Sequence, residues 1–189
     1  LRAITEGVSK DGSAIFPLMP FERYAAMSRE DIYSIVAYIR TLTPVESIIP
    51  ERELDFPLNI LVNTFPAKAE LNAQPDTNNT VEYGRYLVNM ASCVQCHSKE
   101  EKGDIIPGTE FGGGSGFHIP SGKVYSANIT ADMETGIGGW TQEMFIRRFK
   151  MYSDPGYAKA AAKPGDFNTP MPWTTYGSMS EKDLGAIYD

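Results

Sequence analysis

The five residues Cys93-Val94-Gln95-Cys96-His97 decide how the rest of this chain is interpreted. They include the only two cysteines in the sequence, and the order is C-x-x-C-H. Two thiols three positions apart can add to the two vinyl groups of one porphyrin, which places the next residue's imidazole under the iron. The spacing therefore predicts covalent attachment of one haem c, with His97 as the proximal ligand.

Two other sites built on paired cysteines fit the sequence less well. A zinc site would need further Cys or His ligands at recognisable spacing, and the one remaining histidine, His118, stands in a glycine-rich segment. A thioredoxin-like redox pair would begin a helix after a strand, whereas this motif follows a helical pattern and is joined directly to a histidine.

Composition indicates a globular, soluble chain and argues against nucleic-acid binding. The formal net charge is −7 and no basic stripe is available to neutralise phosphates. No apolar run approaches the ~20 residues that span a bilayer. Because Leu1 and Asp189 both lie inside patterns, we expect both ends of a longer polypeptide to be missing. Haem c is normally attached outside the cytoplasm, which predicts the periplasm or the outer face of a bacterial inner membrane.

Three segments follow one another along the chain. In residues 1–42, Ser28 is expected to cap a helix that runs to about Thr41. Residues 43–79 contain repeated prolines, which exclude long helices, and are predicted to form an ordered strap across a domain surface. Residues 80–189 hold the C-x-x-C-H motif, with a helix from Thr80 before it and a loop-dominated region over 98–139 after it. Helices capped by Thr141 and Ser180 complete the segment.

The end of the chain repeats its beginning. An ungapped alignment with an offset of 152 positions pairs two methionine-proline steps, 19–20 with 171–172, and two Tyr-x-x-Met-Ser-x-x-Asp stretches, 24–31 with 176–183. This identity predicts that residues 1–42 are the end of a domain of the same kind as residues 80–189. The intact polypeptide should then carry a second C-x-x-C-H motif upstream of Leu1.

Met171 is the predicted second axial ligand of the haem iron. A thioether suits ferrous iron and raises the reduction potential relative to a second histidine. Met171 stands between Pro170 and Pro172 in a loop just before a helix, where filling a helix core is a weak explanation. Met179, at the entrance of the last helix, and His118, which would give bis-histidine ligation, remain rivals.

Several stretches together resemble the diheme or triheme cytochrome c family, the electron-accepting subunits of membrane-bound bacterial dehydrogenases for alcohols, gluconate and other sugars. The stretches are Cys93-Val94-Gln95-Cys96-His97, Ser126-Ala127-Asn128-Ile129-Thr130, Glu134-Thr135-Gly136-Ile137-Gly138-Gly139-Trp140-Thr141, Met144-Phe145-Ile146-Arg147-Arg148-Phe149, Asn168-Thr169-Pro170-Met171-Pro172-Trp173 and the two Tyr-x-x-Met-Ser segments.

The resemblance implies an all-α fold of class I cytochrome c domains in tandem, the first truncated at its N-terminus, with the terminal helices of the second crossing near Gly84. By the same comparison, Pro107 would accept a hydrogen bond from His97, and Met19 would ligate the iron of an upstream haem. The positions implied near the haem propionates are Tyr125, Asn128, Trp140 and Arg148; core packing is an alternative for Trp140.

The predicted function is electron transfer, without substrate conversion by this chain itself. Electrons would pass from a dehydrogenase, through one haem here and a second expected upstream, to a quinone or a terminal oxidase. Membrane association through missing parts or partners is left open. The alternatives are a haem peroxidase or gas sensor with an open distal position, which Met171 argues against, and a purely structural docking module in a respiratory complex.

Overall fold

The computed structural model describes residues 1–119, 122–160 and 170–189, so Asn168 and Thr169 of the predicted ligand loop lie outside the described residues. The chain divides into two compact units, Leu1–Pro75 and Asp76–Asp189. No helix in the described part of the chain combines the length and apolar character needed to cross a membrane.

The first unit contains four α-helices and one 3-10 helix among its residues: α1 (Arg2–Thr5), α2 (Phe21–Tyr24), α3 (Arg29–Ile39), α4 (Leu58–Leu61) and the 3-10 helix Val62–Thr64. The described elements of the second unit are α5 (Thr80–Met90), α6 (Cys93–Cys96), β1 (Glu100–Glu101), β2 (Asp104–Ile105), β3 (Gly116–Ile119), β4 (Gly122–Tyr125), α7 (Gln142–Lys150), the 3-10 helix Met151–Ser153, α8 (Pro155–Ala160), α9 (Trp173–Gly177) and α10 (Glu181–Tyr188).

The predicted helix starts are confirmed by their caps. The side-chain oxygens of Ser28, Thr141 and Ser180 each accept a hydrogen bond from the main-chain N–H three residues later. This satisfies one of the donors that the first turn of a helix leaves unpaired. The helix expected from Thr80 is also present, and the side chain of Asn79 caps it.

The region 98–139, predicted to be dominated by loops, also contains two short antiparallel hairpins among its described residues. β1 pairs with β2, and β3 pairs with β4 in a register that places Phe117 opposite Val124 and His118 opposite Lys123. The part of the chain that the structure describes is therefore helix-rich with two small sheets. Strands of two to four residues are not predicted from the sequence because they are too short to establish an alternating pattern.

In the second unit, the first and last helices cross at Gly84, as the resemblance implied. An added Cβ at Gly84 would lie 1.8 Å from the carbonyl oxygen of Ala186, so only glycine permits this separation of α5 and α10. Leu87 and Leu184 are buried, and the Tyr83 hydroxyl donates to the Asp183 carboxylate over 2.9 Å.

Helix α7 joins this pair through aromatic side chains. The Phe145 ring lies 5.8 Å from that of Tyr188 on α10, and the Phe149 ring lies 5.4 Å from that of Trp173 on α9. The Tyr188 hydroxyl donates to the carbonyl oxygen of Trp140 over 2.6 Å. Trp140, two residues before α7, is thus fixed to the last helix.

The first unit has a small core, to which Phe21, Met27, Ile32 and Val62 contribute. Val62 belongs to the proline-rich segment predicted to be a strap. Two other residues of that segment donate to main-chain carbonyl oxygens. The Arg52 guanidinium donates to the Ala14 carbonyl oxygen over 2.6 Å, and the main-chain N–H of Asn72 donates to the Met27 carbonyl oxygen over 3.0 Å. In contrast, Ile48 is 97% exposed.

The repeated sequence adopts the same local structure in both units. The main-chain N–H of Phe21 donates to the Met19 carbonyl oxygen over 2.7 Å, and that of Trp173 donates to the Met171 carbonyl oxygen over 2.8 Å. The intervening prolines have nearly equal dihedral angles, φ −77° and ψ 58° at Pro20 and φ −79° and ψ 63° at Pro172. Each methionine therefore precedes a proline that begins a short helix.

Candidate functional site

Cys93 and Cys96 are the first and last residues of the one-turn helix α6. Ser92, just before it, has a left-handed backbone with φ 54°, which turns the chain sharply after α5. The main-chain N–H of His97 donates to the carbonyl oxygen of Cys93 over 3.0 Å, closing the turn. Both thiols are free, so this single turn presents the two cysteines and the histidine together.

Burial raises the pKa of both cysteine thiols, that of Cys93 to about 11. Redox-active C-x-x-C pairs have the opposite property, a lowered pKa that keeps one sulfur as a thiolate near neutral pH. The thioredoxin-like alternative is therefore disfavoured. No group of three or more His, Cys, Asp or Glu side chains is placed to hold a metal ion within residues 1–119, 122–160 and 170–189.

The ring of His97 is oriented by a main-chain carbonyl. Its Nδ1 lies 2.8 Å from the carbonyl oxygen of Ala127. A carbonyl oxygen can only accept, so Nδ1 carries the proton and donates it, which leaves the lone pair of Nε2 for a metal. This is the tautomer that a haem-ligating histidine requires.

In the structure, His97 Nδ1 meets the carbonyl oxygen of Ala127 and not that of Pro107, the acceptor that the resemblance implied. Pro107 is the second residue of a turn in which the main-chain N–H of Thr109 donates to the Ile106 carbonyl oxygen over 3.1 Å. Proline is favoured at that position because its ring fixes φ near the value that the turn needs. A turn explains this proline, and the carbonyl that meets His97 comes from the segment after β4.

Hydrogen bonds beyond the β3–β4 hairpin hold Ala127 near the histidine. The main-chain N–H of Gly113 donates to the His97 carbonyl oxygen over 2.7 Å, and that of Gly114 donates to the Ser126 carbonyl oxygen over 2.9 Å. An added Cβ at Gly113 would lie 2.5 Å from the carbonyl carbon of Ala127. The segment after β4 can approach His97 this closely because residue 113 has no side chain.

Ser98 contributes to the same arrangement, although the sequence analysis did not single it out. It is fully buried, and its hydroxyl accepts from the main-chain N–H of Phe111 over 3.0 Å. Its carbonyl oxygen accepts from the Ser115 hydroxyl. The only signal in the sequence is a small polar residue directly after the motif, which many surface positions share.

Met171 is half-buried and immediately precedes Pro172, the N-cap of α9. Further along α9, the Tyr176 hydroxyl donates to the carbonyl oxygen of Ala91 over 2.8 Å. Ala91 lies two residues before Cys93. The helix that follows Met171 is therefore attached to the chain that delivers the cysteine motif.

The two rivals of Met171 have different surroundings. Met179 is half-buried and follows α9, and its carbonyl oxygen accepts a hydrogen bond from the Lys150 ammonium group. His118 is exposed on β3, opposite Lys123.

The four residues expected near the propionates lie in different settings. Tyr125 is 63% exposed, with the Lys123 ammonium 5.0 Å from its ring centre. The Asn128 amide donates to the Thr135 hydroxyl over 2.9 Å, and its carbonyl oxygen accepts from the main-chain N–H of Thr130 over 2.9 Å. Trp140 is half-buried before α7, and Arg148 lies against two aromatic rings.

In the first unit, Met19 is half-buried and lines an open cavity of about 890 Å³. Ile15, Phe16 and Leu18 supply apolar lining, and Arg52 contributes a cation.

No family model matches the chain. It is 28% identical over 169 residues to the fructose dehydrogenase cytochrome subunit of Gluconobacter japonicus, which covers 85% of this chain and 34% of that protein. It is 37% identical over 109 residues to the gluconate 2-dehydrogenase cytochrome c subunit of Pantoea cypripedii, covering 57% of the chain and 22% of the relative.

A third relative is the cytochrome c subunit of alcohol dehydrogenase (quinone) from Gluconobacter oxydans (strain 621H), 30% identical over 118 residues, or 62% of this chain and 22% of that protein. The chain thus spans about a third or less of the length of these relatives. The resemblance to cytochrome c subunits of dehydrogenases, predicted from the sequence motifs, is confirmed.

Proposed function

Because its relatives are cytochrome c subunits of dehydrogenases, we propose that this chain is an electron-transfer cytochrome with one haem c bound at Cys93, Cys96 and His97, and with Met171 as the second axial ligand. The observation that carries the proposal is the hydrogen bond from His97 Nδ1 to the Ala127 carbonyl oxygen over 2.8 Å. In the neutral imidazole this contact places the proton on Nδ1, which leaves the Nε2 lone pair for the iron.

The attachment chemistry needs reduced thiols and no oxidant. Each S–H of Cys93 and Cys96 adds across one vinyl C=C bond, which forms one C–S bond and one C–H bond. The free thiols on a single helical turn and the raised thiol pKa both fit residues that are present as S–H rather than as a redox couple. Once both thioethers have formed, this pair has no thiol chemistry left.

Of Met171, Met179 and His118, Met171 is the best candidate for the second axial ligand. It is half-buried before α9, and Tyr176 ties α9 to Ala91 beside the cysteine motif. His118 is exposed on a hairpin, and Met179 follows α9 at its far end. Two protein ligands exclude external ligands, so the bound haem would accept one electron from a donor and pass one electron to an acceptor without binding a substrate.

We place this electron transfer between a dehydrogenase and a quinone or terminal oxidase, at the periplasmic side of the bacterial inner membrane. The names of the relatives support a dehydrogenase partner, and one of them includes a quinone. Substrate oxidation would then belong to another subunit. The chain itself would serve as a carrier, with redox proteins as its partners.

We further propose tandem class I cytochrome c domains, with residues 1–42 ending the first, 43–79 linking them and 80–189 forming the second. The shared geometry around Met19 and Met171 supports this repeat. Met19 would ligate the iron of a second haem attached upstream. The open cavity beside Met19 has both apolar and charged lining, and its apolar residues Ile15, Phe16 and Leu18 could contact a flat, apolar group.

Carbon monoxide binding to the dithionite-reduced protein tests the axial ligand. We expect the spectrum of the wild type to be unchanged by carbon monoxide, and that of Met171→Ala to change, because the variant opens the sixth position. Met179→Ala and His118→Ala are controls that should behave as the wild type. A wild type that binds carbon monoxide readily would contradict Met171 ligation and favour a haem peroxidase or gas sensor.

A further inference from the structure

We propose that Arg148 is a positioning residue for the axial methionine: its guanidinium holds the Trp173 indole, and through it the main chain of Met171. This inference deepens the proposed function and rests on it, since it assumes that the Met171 thioether binds the iron. It assigns to Arg148 a task different from contact with a propionate.

The guanidinium lies in an aromatic cluster formed by three elements: α7, the 3-10 helix that follows it, and α9. The Cζ of Arg148, on α7, is 4.6 Å from the ring centre of Trp173 on α9. It is 5.6 Å from the ring centre of Tyr152, in the 3-10 helix that follows α7. The Tyr152 and Trp173 rings are themselves stacked, with centres 5.0 Å apart and planes inclined by 12°. A guanidinium is attracted to the faces of such rings, more strongly where water is excluded.

Two further contacts hold this cluster to α7 and to the 3-10 helix that follows it. Nη1 of Arg148 donates to the sulfur of Met151 over 3.7 Å, which restricts the guanidinium from another direction. The Phe149 ring packs 5.4 Å from Trp173, inclined by 52°. The indole therefore contacts both an aromatic ring and a cation from the same helix. Its position depends on α7 rather than on α9 alone.

The position of Trp173 is transmitted to Met171 by the main chain. The main-chain N–H of Trp173 donates to the Met171 carbonyl oxygen over 2.8 Å. Pro172 lies between them with φ −79°, and its ring prevents free rotation about its N–Cα bond. A displacement of the indole would therefore displace the main chain that carries the methionine. A methionine that is held less firmly dissociates more often from the iron.

The two possible tasks of Arg148 predict different outcomes when the cation is removed. A guanidinium that neutralises a propionate chiefly affects the reduction potential and leaves the iron six-coordinate. A guanidinium that holds Trp173 affects the occupancy of the sixth position. Carbon monoxide reports the second property directly, because it binds reduced iron only when the methionine has left.

The test compares Arg148→Gln with Arg147→Gln, which removes the same charge from an exposed neighbour on the same helix. Both variants are prepared with haem attached, and covalent haem content and helical circular dichroism are matched to the wild type. During prolonged exposure, in which transient release of the methionine lets even the wild type take up carbon monoxide slowly, we expect reduced Arg148→Gln to bind it roughly five to ten times faster than the wild type. Arg147→Gln should match the wild type.

Arg148→Lys keeps the charge but loses the planar group. Its rate of carbon monoxide binding should therefore lie between those of the wild type and Arg148→Gln. Should Arg148→Gln fail to retain haem, Arg148→Lys decides the question by the same measurement: a rate above that of the wild type supports the inference, and an unchanged rate overturns it.

Three other results would also overturn the inference. If Arg148→Gln excludes carbon monoxide as the wild type does, and only its reduction potential changes, Arg148 serves a propionate. If Arg147→Gln accelerates binding equally, general charge explains the effect. If the wild type itself binds carbon monoxide readily, Met171 is not the axial ligand and the inference fails with the proposed function. In the first two cases Met171 ligation stands and only the role of Arg148 fails.

Discussion

At the scale of single residues, Gly113 determines how closely the segment after β4 approaches His97. Its φ of 73° lies in the left-handed region, and its missing side chain leaves room for Ser126 and Ala127. The carbonyl oxygen of Ala127 in turn accepts the proton of His97 Nδ1. Orientation of the candidate proximal ligand therefore depends on a residue with no functional group.

Gly113→Ala should weaken this contact and destabilise the second unit. Left-handed backbone costs a residue with a Cβ roughly 1–2 kcal/mol, and the new Cβ would also displace Ala127. A weaker hydrogen bond from His97 Nδ1 makes the imidazole a poorer electron donor to the iron, which favours the ferrous form. We expect a higher reduction potential and a lower denaturation midpoint.

Gly108→Ala is the matched control for Gly113→Ala. Gly108 also has a positive φ, 85°, but an added Cβ would have no heavy atom within 4 Å among the described residues. The Gly108→Ala variant should lose stability because of the left-handed backbone, and its reduction potential should be unchanged. Equal shifts of potential in both variants would contradict the assigned role of Gly113.

The candidate site residues that stand out in the sequence are those whose chemistry lies in their side chains. Cys93, Cys96 and His97 stand out by type and spacing, and Met171 by its position between prolines. Ala127 could not be found in this way, because the group that meets His97 is a main-chain carbonyl. The resemblance implied Pro107 as the acceptor, and that residue belongs to a turn.

At the scale of secondary structure, the second unit depends on the crossing of α5 with α10. Periodicity and capping residues were sufficient to predict both helices, because each signal lies within one short stretch. The hairpins were not predictable in the same way. Their pairing joins residues over a loop, and the glycines at 116 and 122 gave no strand signal.

Gly84→Ala tests the crossing. In most exposed helices this change stabilises by roughly 0.5–1 kcal/mol, but here the Cβ would meet the Ala186 carbonyl oxygen at 1.8 Å. Forcing α5 and α10 apart should instead cost about 1–3 kcal/mol or more. Chemical denaturation of the haem-loaded protein measures the difference.

Gly185→Ala is the corresponding control on α10. Its added Cβ would lie 3.5 Å from the Gln142 side chain, an ordinary contact. This variant should be as stable as the wild type or slightly more so. A Gly84→Ala protein of wild-type stability would show that the two helices can separate without loss.

At the scale of the whole chain, the boundary at Pro75 and Asp76 separates the residues that would carry one haem from those that would contact another. Residues 76–189 contain both cysteines, His97 and Met171, whereas residues 1–75 contain Met19 without an attachment motif. The repeat was visible in the sequence because six identities occur at one constant offset.

We expect the fragment Asp76–Asp189 to acquire one covalent haem and to exclude carbon monoxide when reduced. Its mass after denaturation should exceed that of the polypeptide by one haem, since thioether bonds survive unfolding. The fragment Leu1–Pro75, expressed in the same cells, should gain no mass. Failure of the larger fragment to retain haem or exclude carbon monoxide would mean that the first unit is needed to complete the site.

The contact between His97 and Ala127 also has a consequence for sequence variation. Every amino acid carries a carbonyl oxygen, so almost any substitution at position 127 leaves the acceptor chemically unchanged, and no change of pH protonates it in the physiological range. Drift at this position is therefore compatible with a constant histidine tautomer. Only chemistry that alters the backbone itself, such as replacing the following amide with an ester, would change the acceptor strength of this oxygen directly.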